Sequence, residues 1–202
     1  MRHKYIVAMA ISILCILFIG LCVVMATPAK AYEGVRITTA KQDALHQAAE
    51  LLRNAGFSDD SEPIRALSEA WWQEQEDLDI IAKVIQHEAD PAYCEWEHSL
   101  AVGVVILNRV ASPYFHGDTV KEVVAWPGQY LPSYTWGFEN VPRRCYDAAK
   151  AVMDGDHDIP SDVYWQAEFP QGKEIWKIFR VDTGYYSSVT YICRGIVGVD
   201  NG

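Results

Sequence analysis

Glu88 stands where a carboxylate is hard to keep ionised. In "DLDIIAKVIQHE" Leu78, Ile81 and Ile85 recur at helical spacing, and Glu88 takes the next place on that apolar stripe, three residues before Pro91. Burial on the stripe would favour the neutral carboxyl, and the negative end of a helix dipole would do the same. Both effects act in the direction a general acid needs at neutral pH. The plain alternative is a helix-end Glu that turns to solvent or pairs with an Arg. His87-Glu88 also opens an HExxH pattern, but the position of the second histidine is Pro91. His46, His98, His116 and His157 are scattered without ligand spacing, so no metal site and no cofactor are expected.

Other residue types suit the handling of a polar ligand. Asn108 and Arg109 close an apolar run and are either ligand contacts or a polar helix terminus. Gln129 and Tyr130 sit among Trp126, Tyr134 and Trp136, and aromatic faces beside amides and hydroxyls are a common grip on sugar rings. The same rings could equally be core. In "VYWQA" the alternation of a strand sends Tyr164 and Gln166 to one face and Trp165 to the other, one of which should be core.

Helices must position the first of these groups. "TTAKQDALHQAAELLRNAGF" reads as a helix capped by Thr38 or Thr39, with Leu45, Ala48, Leu51 and Leu52 as its stripe and Gly56 as its stop. A second helix is expected to start near Pro63 and bury Ile64, Leu67, Trp71 and Trp72, and a third to carry Glu88. "EHSLAVGVVILNRVAS" is apolar nearly all round and reads as a buried helix. "DTVKEVVAW", capped by Asp118, and "RRCYDAAKAVMDG", ended by Gly155, complete the helical part. "SDVYWQAEF" and "TGYYSSVTYICRG" are rich in Tyr, Val and Thr and read as strands. Helices first and strands last make an α+β domain, mainly helical with a small C-terminal antiparallel sheet.

The chain has 202 residues, and "MRHKY", the apolar run after it and "TPAKA" together read as a secretory signal over residues 1–31 with cleavage after Ala31. Retained, the apolar residues 5–25 would be a membrane anchor. Loss of residues 1–31 removes Arg2, Lys4 and Lys30 and no acid, leaving 14 basic against 27 acidic residues. So acidic a surface argues against nucleic acid as a partner. Of the five cysteines only Cys94, Cys145 and Cys193 follow the leader, an odd number at wide spacing that makes neither a disulfide framework nor a CxxC site. One disulfide with a free thiol is possible, and the pair is not chosen by sequence.

"IAKVIQHEAD", then "EHSLAVGVVILNRVASPYF", then "DTVKEVVAWPGQYLPSY" resemble the SleB-type cell wall hydrolase domain of spore cortex-lytic enzymes. "RRCYDAAKAVMDGDHDIPSDVYWQAEF" continues the likeness, which covers about residues 78–193. It implies a lytic-transglycosylase-like fold and a peptidoglycan-cleaving glycosidase whose single catalytic acid aligns with Glu88. Asn108, Gln129 and Tyr130 match the family's recurrent positions around the groove. The loop after Glu88 departs from the family pattern, so a second carboxylate has no fixed counterpart, and Glu95 and Glu97 are both candidates.

The expectation is therefore an exported, monomeric enzyme of the cell wall. Residues 32–77 would form a helical extension and 78–202 the hydrolase domain. Glu88 would be catalytic, and Asn108, Gln129, Tyr130, Tyr164, Gln166 and Glu97 would contact peptidoglycan glycan strands. Two rivals remain open: an N-acetylmuramoyl-L-alanine amidase, a class that commonly uses zinc, and a non-catalytic wall-binding protein.

Overall fold

The structure is a computed structural model that describes residues 37–130, 140–182, 184 and 187–198. The expected leader, the anchor at 5–25, and Tyr134 and Trp136 lie outside the described residues. Helices α1 (Ala40–Asn54), α2 (Glu62–Ala89), α3 (Trp96–Val110), α4 (Val120–Ala125) and α5 (Arg143–Met153) precede strands β1 (Val163–Ala167), β2 (Glu174–Asp182) and β3 (Ser187–Arg194). The protein is thus mainly helical α+β with a small antiparallel sheet, as its sequence pattern implies. Chain contacts divide it into a unit up to Glu76 and a unit from Asp77 onward.

In the first unit Thr39 caps α1 in a capping box with Gln42, whose side chain accepts from the Thr39 N–H at 3.0 Å. The helix ends where Gly56 takes φ +92°, a conformation that favours glycine. The inward face of α1 is not the leucine-rich stripe expected: Gln42 and Ala49 are buried, whereas Leu51 is exposed. Polar bonds explain the difference. Thr39 Oγ1 donates to Glu74 at 2.9 Å, and Gln42 Nε2 donates to the Trp71 carbonyl at 3.3 Å. The face is therefore a satisfied polar seam rather than an oily one. On α2, Ile64 is buried as expected, but Trp72 is exposed.

The two helices expected over 62–89 are one helix of 28 residues. Between Pro63 and Pro91 the chain offers no glycine or proline, and the good helix formers Glu, Ala and Gln are frequent, so nothing interrupts propagation.

In the second unit α3 is the central element. Every residue from His98 to Ile106 is buried, and the helix packs on α5, α4 and β1. Gly103 permits a close approach: a Cβ there would meet the Val152 side chain at 3.0 Å and Ile81 at 3.3 Å. Ile81, Ile85 and Leu78 supply the α2 side of this core. Thr119, one residue later than expected, caps α4 by accepting from the Glu122 N–H at 3.2 Å. Gly155, at φ +75°, follows α5 and its amide bonds the Val152 carbonyl.

The sheet order is β1-β3-β2, all antiparallel. β2 was not expected from the sequence. It is an edge strand in which only Phe179 is buried, and its apolar residues fall in the pairs Ile175-Trp176 and Ile178-Phe179 rather than in the alternation that marks a half-buried strand. Gly172 makes its approach possible, since a Cβ there would lie 2.6 Å from Trp165 and 2.7 Å from the Arg194 carbonyl. The register of β1 is irregular between Val163 and Trp165, and neither face of the strand is wholly core: Tyr164, Trp165 and Gln166 are all half-buried.

His98 joins α3 to the sheet. Its ring stacks on Phe179 at 4.5 Å and 5°, and neither ring nitrogen has a hydrogen-bond partner among the described residues. Burial pushes its pKa down to about 4. The unfolded chain, with an ordinary His near 6.5, binds more protons between these values, so stability is lost as pH falls through 6.5 towards 4. That loss amounts to about 3 kcal/mol at the acid end. Urea unfolding at pH 7 and pH 5 should show a steeper loss for the native chain than for His98→Leu. Equal slopes would remove His98 as the source.

Candidate active site

The end of α2 presents Glu88 at the surface of the second unit, its side chain 28 % exposed. Full burial on the apolar stripe, expected from spacing, is not what the helix delivers. Leu78, Ile81 and Ile85 are sealed, whereas Glu88 lies one turn further, where the helix runs out. Ser99 on α3 donates to the Ala89 carbonyl at 2.5 Å, satisfying one of the acceptors that a helix end leaves open. The chain then turns sharply. Asp90 accepts from Arg144 Nε at 2.6 Å and Nη2 at 2.9 Å, while its backbone carbonyl accepts from the Tyr93 and Cys94 amides. Burial alone would raise the Asp90 carboxyl, but the Arg144 fork and the Ala92 N–H hold it below its ordinary range.

Glu88 Oε2 accepts from Gln166 Nε2 at 3.3 Å, and Gln166 Oε1 accepts from the Tyr130 hydroxyl at 3.0 Å. On its other side Glu88 Oε1 lies 3.4 Å from His87 Nδ1. Tyr130 is buried, and this burial pushes its pKa up to about 12. Nearby Arg109 opposes the rise and the negative charge of Glu88 adds to it. The phenol therefore keeps its proton and serves as a fixed donor. Three residues expected at the site, Glu88, Tyr130 and Gln166, form one hydrogen-bonded chain across α2, the loop after α4, and β1.

The remaining candidates occupy different places. Asn108 Nδ2 donates to the Val163 carbonyl at 2.9 Å and to the Pro160 carbonyl at 3.2 Å, so its amide nitrogen is committed to the entry of β1. Tyr164 offers its carbonyl to Arg109 Nε at 2.7 Å, and its ring lies 5.5 Å from Phe115. Gln129 accepts from Arg109 Nη1. Glu97, at the start of α3, is ion-paired with Lys177 and lines a separate depression of about 300 Å³ with Asp156 and His157.

Arg109 is the organising residue that sequence reasoning left undecided. It is only 4 % exposed, and its guanidinium carbon lies 5.2 Å from the Phe115 ring and 5.7 Å from those of Tyr130 and Trp165. Its sequence signal was an always-charged side chain in the last turn of a helix that is otherwise buried all round. Among the described residues Cys94, Cys145 and Cys193 are free thiols, with Cys145 and Cys193 buried. Trp126 is exposed and stacks on His116 at 4.0 Å.

Glu88 thus lies at a helix end, bonded by the Gln166 amide of β1, which a phenol of the loop after α4 orients in turn, a setting in which a carboxyl can exchange a proton with a ligand. Residues 95–184 match the family model described as Cell Wall Hydrolase, so the likeness to SleB-type cell wall hydrolases holds over that stretch. The matched family is one of cell wall hydrolases, which implies a peptidoglycan substrate for it. The match takes in α3, α4, α5, β1 and β2 and begins beyond Glu88. No curated protein and no solved structure matches the chain.

Because Tyr130 fixes which way the Gln166 amide faces, Tyr130→Phe should release that amide. The variant is expected to lose about 1 kcal/mol of stability, the net value of one such bond, and to lower murein-clearing activity roughly tenfold, a scale set by misplacing a positioned group. Urea titration and turbidity of a murein suspension measure the two. Unchanged clearing would detach the Tyr130–Gln166 bond from function.

Proposed function

We propose that the protein cleaves the glycan strands of peptidoglycan, with Glu88 as the single acid and base, and that it is a lytic transglycosylase acting between N-acetylmuramic acid and N-acetylglucosamine. A substrate in the wall requires export, in keeping with the leader read at residues 1–31. The observation that carries the reading is the engagement of the neighbouring acids. Ordinary glycosidases need two carboxylates, one to protonate the leaving oxygen and one to attack or to activate water. Glu88 is oriented by Gln166 and stays accessible. Asp90 is held by Arg144 and Glu97 by Lys177, and Glu95 is exposed at the α3 cap position without a capping bond.

A transglycosylase avoids the need for a second carboxylate. Glu88 donates its proton to the glycosidic oxygen as the C1–O bond breaks, and the N-acetylglucosamine hydroxyl leaves. The C6 hydroxyl of the same muramic ring attacks C1 and gives its proton to the Glu88 carboxylate, which restores the acid. Attack from within one ring replaces a positioned water with a group of high effective molarity. Gln166 and Tyr130 orient the carboxyl, Gln129 and Tyr164 contribute to the glycan-facing surface, and Asn108 holds β1 in place behind them.

Glu88→Gln should abolish murein cleavage with the fold intact, because the amide keeps the shape and lacks the transferable proton. Mass spectrometry of native digests should show 1,6-anhydromuramic ends. Reducing ends, with Glu95→Gln or Glu97→Gln as damaging as Glu88→Gln, would replace this mechanism with a two-carboxylate hydrolase. Freed stem peptides would indicate an amidase, and an absence of any product would indicate a wall-binding protein.

A further inference from the structure

Beside the Glu88 chain lies a depression of about 220 Å³ lined by Arg109, Phe115, His116, Trp126, Gln129 and Trp165. Its walls are aromatic, and Trp126 remains 44 % exposed at its margin. Arg109 is the charged group within it, and among the described residues it has no ion-pair partner: no carboxylate lies within ion-pair distance of its guanidinium. Nε and Nη1 donate to the Tyr164 carbonyl and to Gln129, both neutral, and among the described residues Nη2 has no hydrogen-bond partner. Burial of a cation without a counter-ion is unfavourable unless the site is completed by something else. Ring faces offset part of this, but a planar guanidinium with an open edge is built for an anion of matching geometry.

We propose that this depression is a carboxylate-binding subsite, in which Arg109 pairs with a carboxylate of the murein while Trp126 and Trp165 flank the carbons that carry it. The inference rests on the peptidoglycan reading above and adds to it a charged recognition element outside the cleaved bond. Two carboxylate sources exist in such a substrate. One is the lactyl group of a muramic residue that has lost its peptide, and the other is the set of acids along a stem peptide. The chain as a whole is acidic, so a lone buried cation gives selectivity for one placed carboxylate rather than a general attraction for polyanions.

The test uses the full-length Glu88→Gln protein, which binds without turnover, and calorimetric titration with soluble murein tetrasaccharides. One ligand carries stem peptides, a second is peptide-free with lactyl carboxylates, and each is also prepared with its carboxyl groups capped as methylamides. Capping should weaken binding at least tenfold for the ligand that carries the recognised group. Loss only in the peptide-bearing pair identifies a stem carboxylate, and loss in the peptide-free pair identifies the lactyl group. A second substitution, Arg109→Met, should reduce binding of the uncapped ligand to that of the capped one and leave the capped ligand unchanged. If that variant fails to fold, the capped and uncapped ligands decide alone. Binding within twofold for both pairs, or no binding of any ligand, would overturn the subsite and leave Arg109 a structural staple. Turnover by the native chain is scored separately. An inactive enzyme that still discriminates capped from uncapped ligand would sink the Glu88 mechanism and keep the subsite.

Discussion

The polar end of α3 is the constraint on which the site depends. Asn108 and Arg109 are consecutive residues, and between them they hold the Pro160, Val163 and Tyr164 carbonyls. Three backbone acceptors at the entry of β1 are thus satisfied by one turn of one helix. That turn belongs to the best-buried helix of the unit, so its position is set by the core. β1 then delivers Gln166 to Glu88, two residues beyond Tyr164. The accuracy of the site is inherited from a rigid element through hydrogen bonds to main chain, which leaves little freedom for the sheet to slide.

Core packing and polar satisfaction divide the work between the two faces of α3. On one side Gly103 lets Ile81 and Val152 approach, joining α2 and α5 to α3. On the other, His98 lies flat against Phe179 of β2. The first contact places the helix that carries Glu88, and the second anchors the far strand of the sheet. Glu88 and Gln166 are consequently positioned from separate elements that share a single support.

Much of this architecture was legible in the chain. The all-round apolar pattern of α3, the Thr39 cap, and the glycine stops at Gly56 and Gly155 report local physics that tertiary contacts did not override. Glu88 was visible because an acid on an apolar stripe is a conflict that calls for a reason. What was hidden depended on partners distant in sequence. Trp72 looks like core and is exposed, because α1 and α2 meet through Gln42, Thr39 and Glu74 instead. β2 has apolar residues but no regular alternation, and its place is specified by β3 and by the absence of a side chain at Gly172. Arg109 was ambiguous for the same reason: its hydrogen-bond partners are twenty or more residues away along the chain.

The chain of Glu88, Gln166 and Tyr130 has a further property. Each bond in it has a polarity, running at present from the phenol through the amide to the carboxylate. A carboxyl group that has taken up a proton becomes a donor on that oxygen, and the amide could answer only by half a turn about its terminal bond, presenting oxygen to Glu88 and nitrogen to Tyr130. The buried phenol forbids that turn, because its own proton needs the amide oxygen as acceptor. The polarity of the relay is therefore locked from its phenol end, and Oε2 of Glu88 is kept as an acceptor. A proton taken up by this carboxyl is directed to its other oxygen, Oε1, so the two oxygens of one side chain are not equivalent.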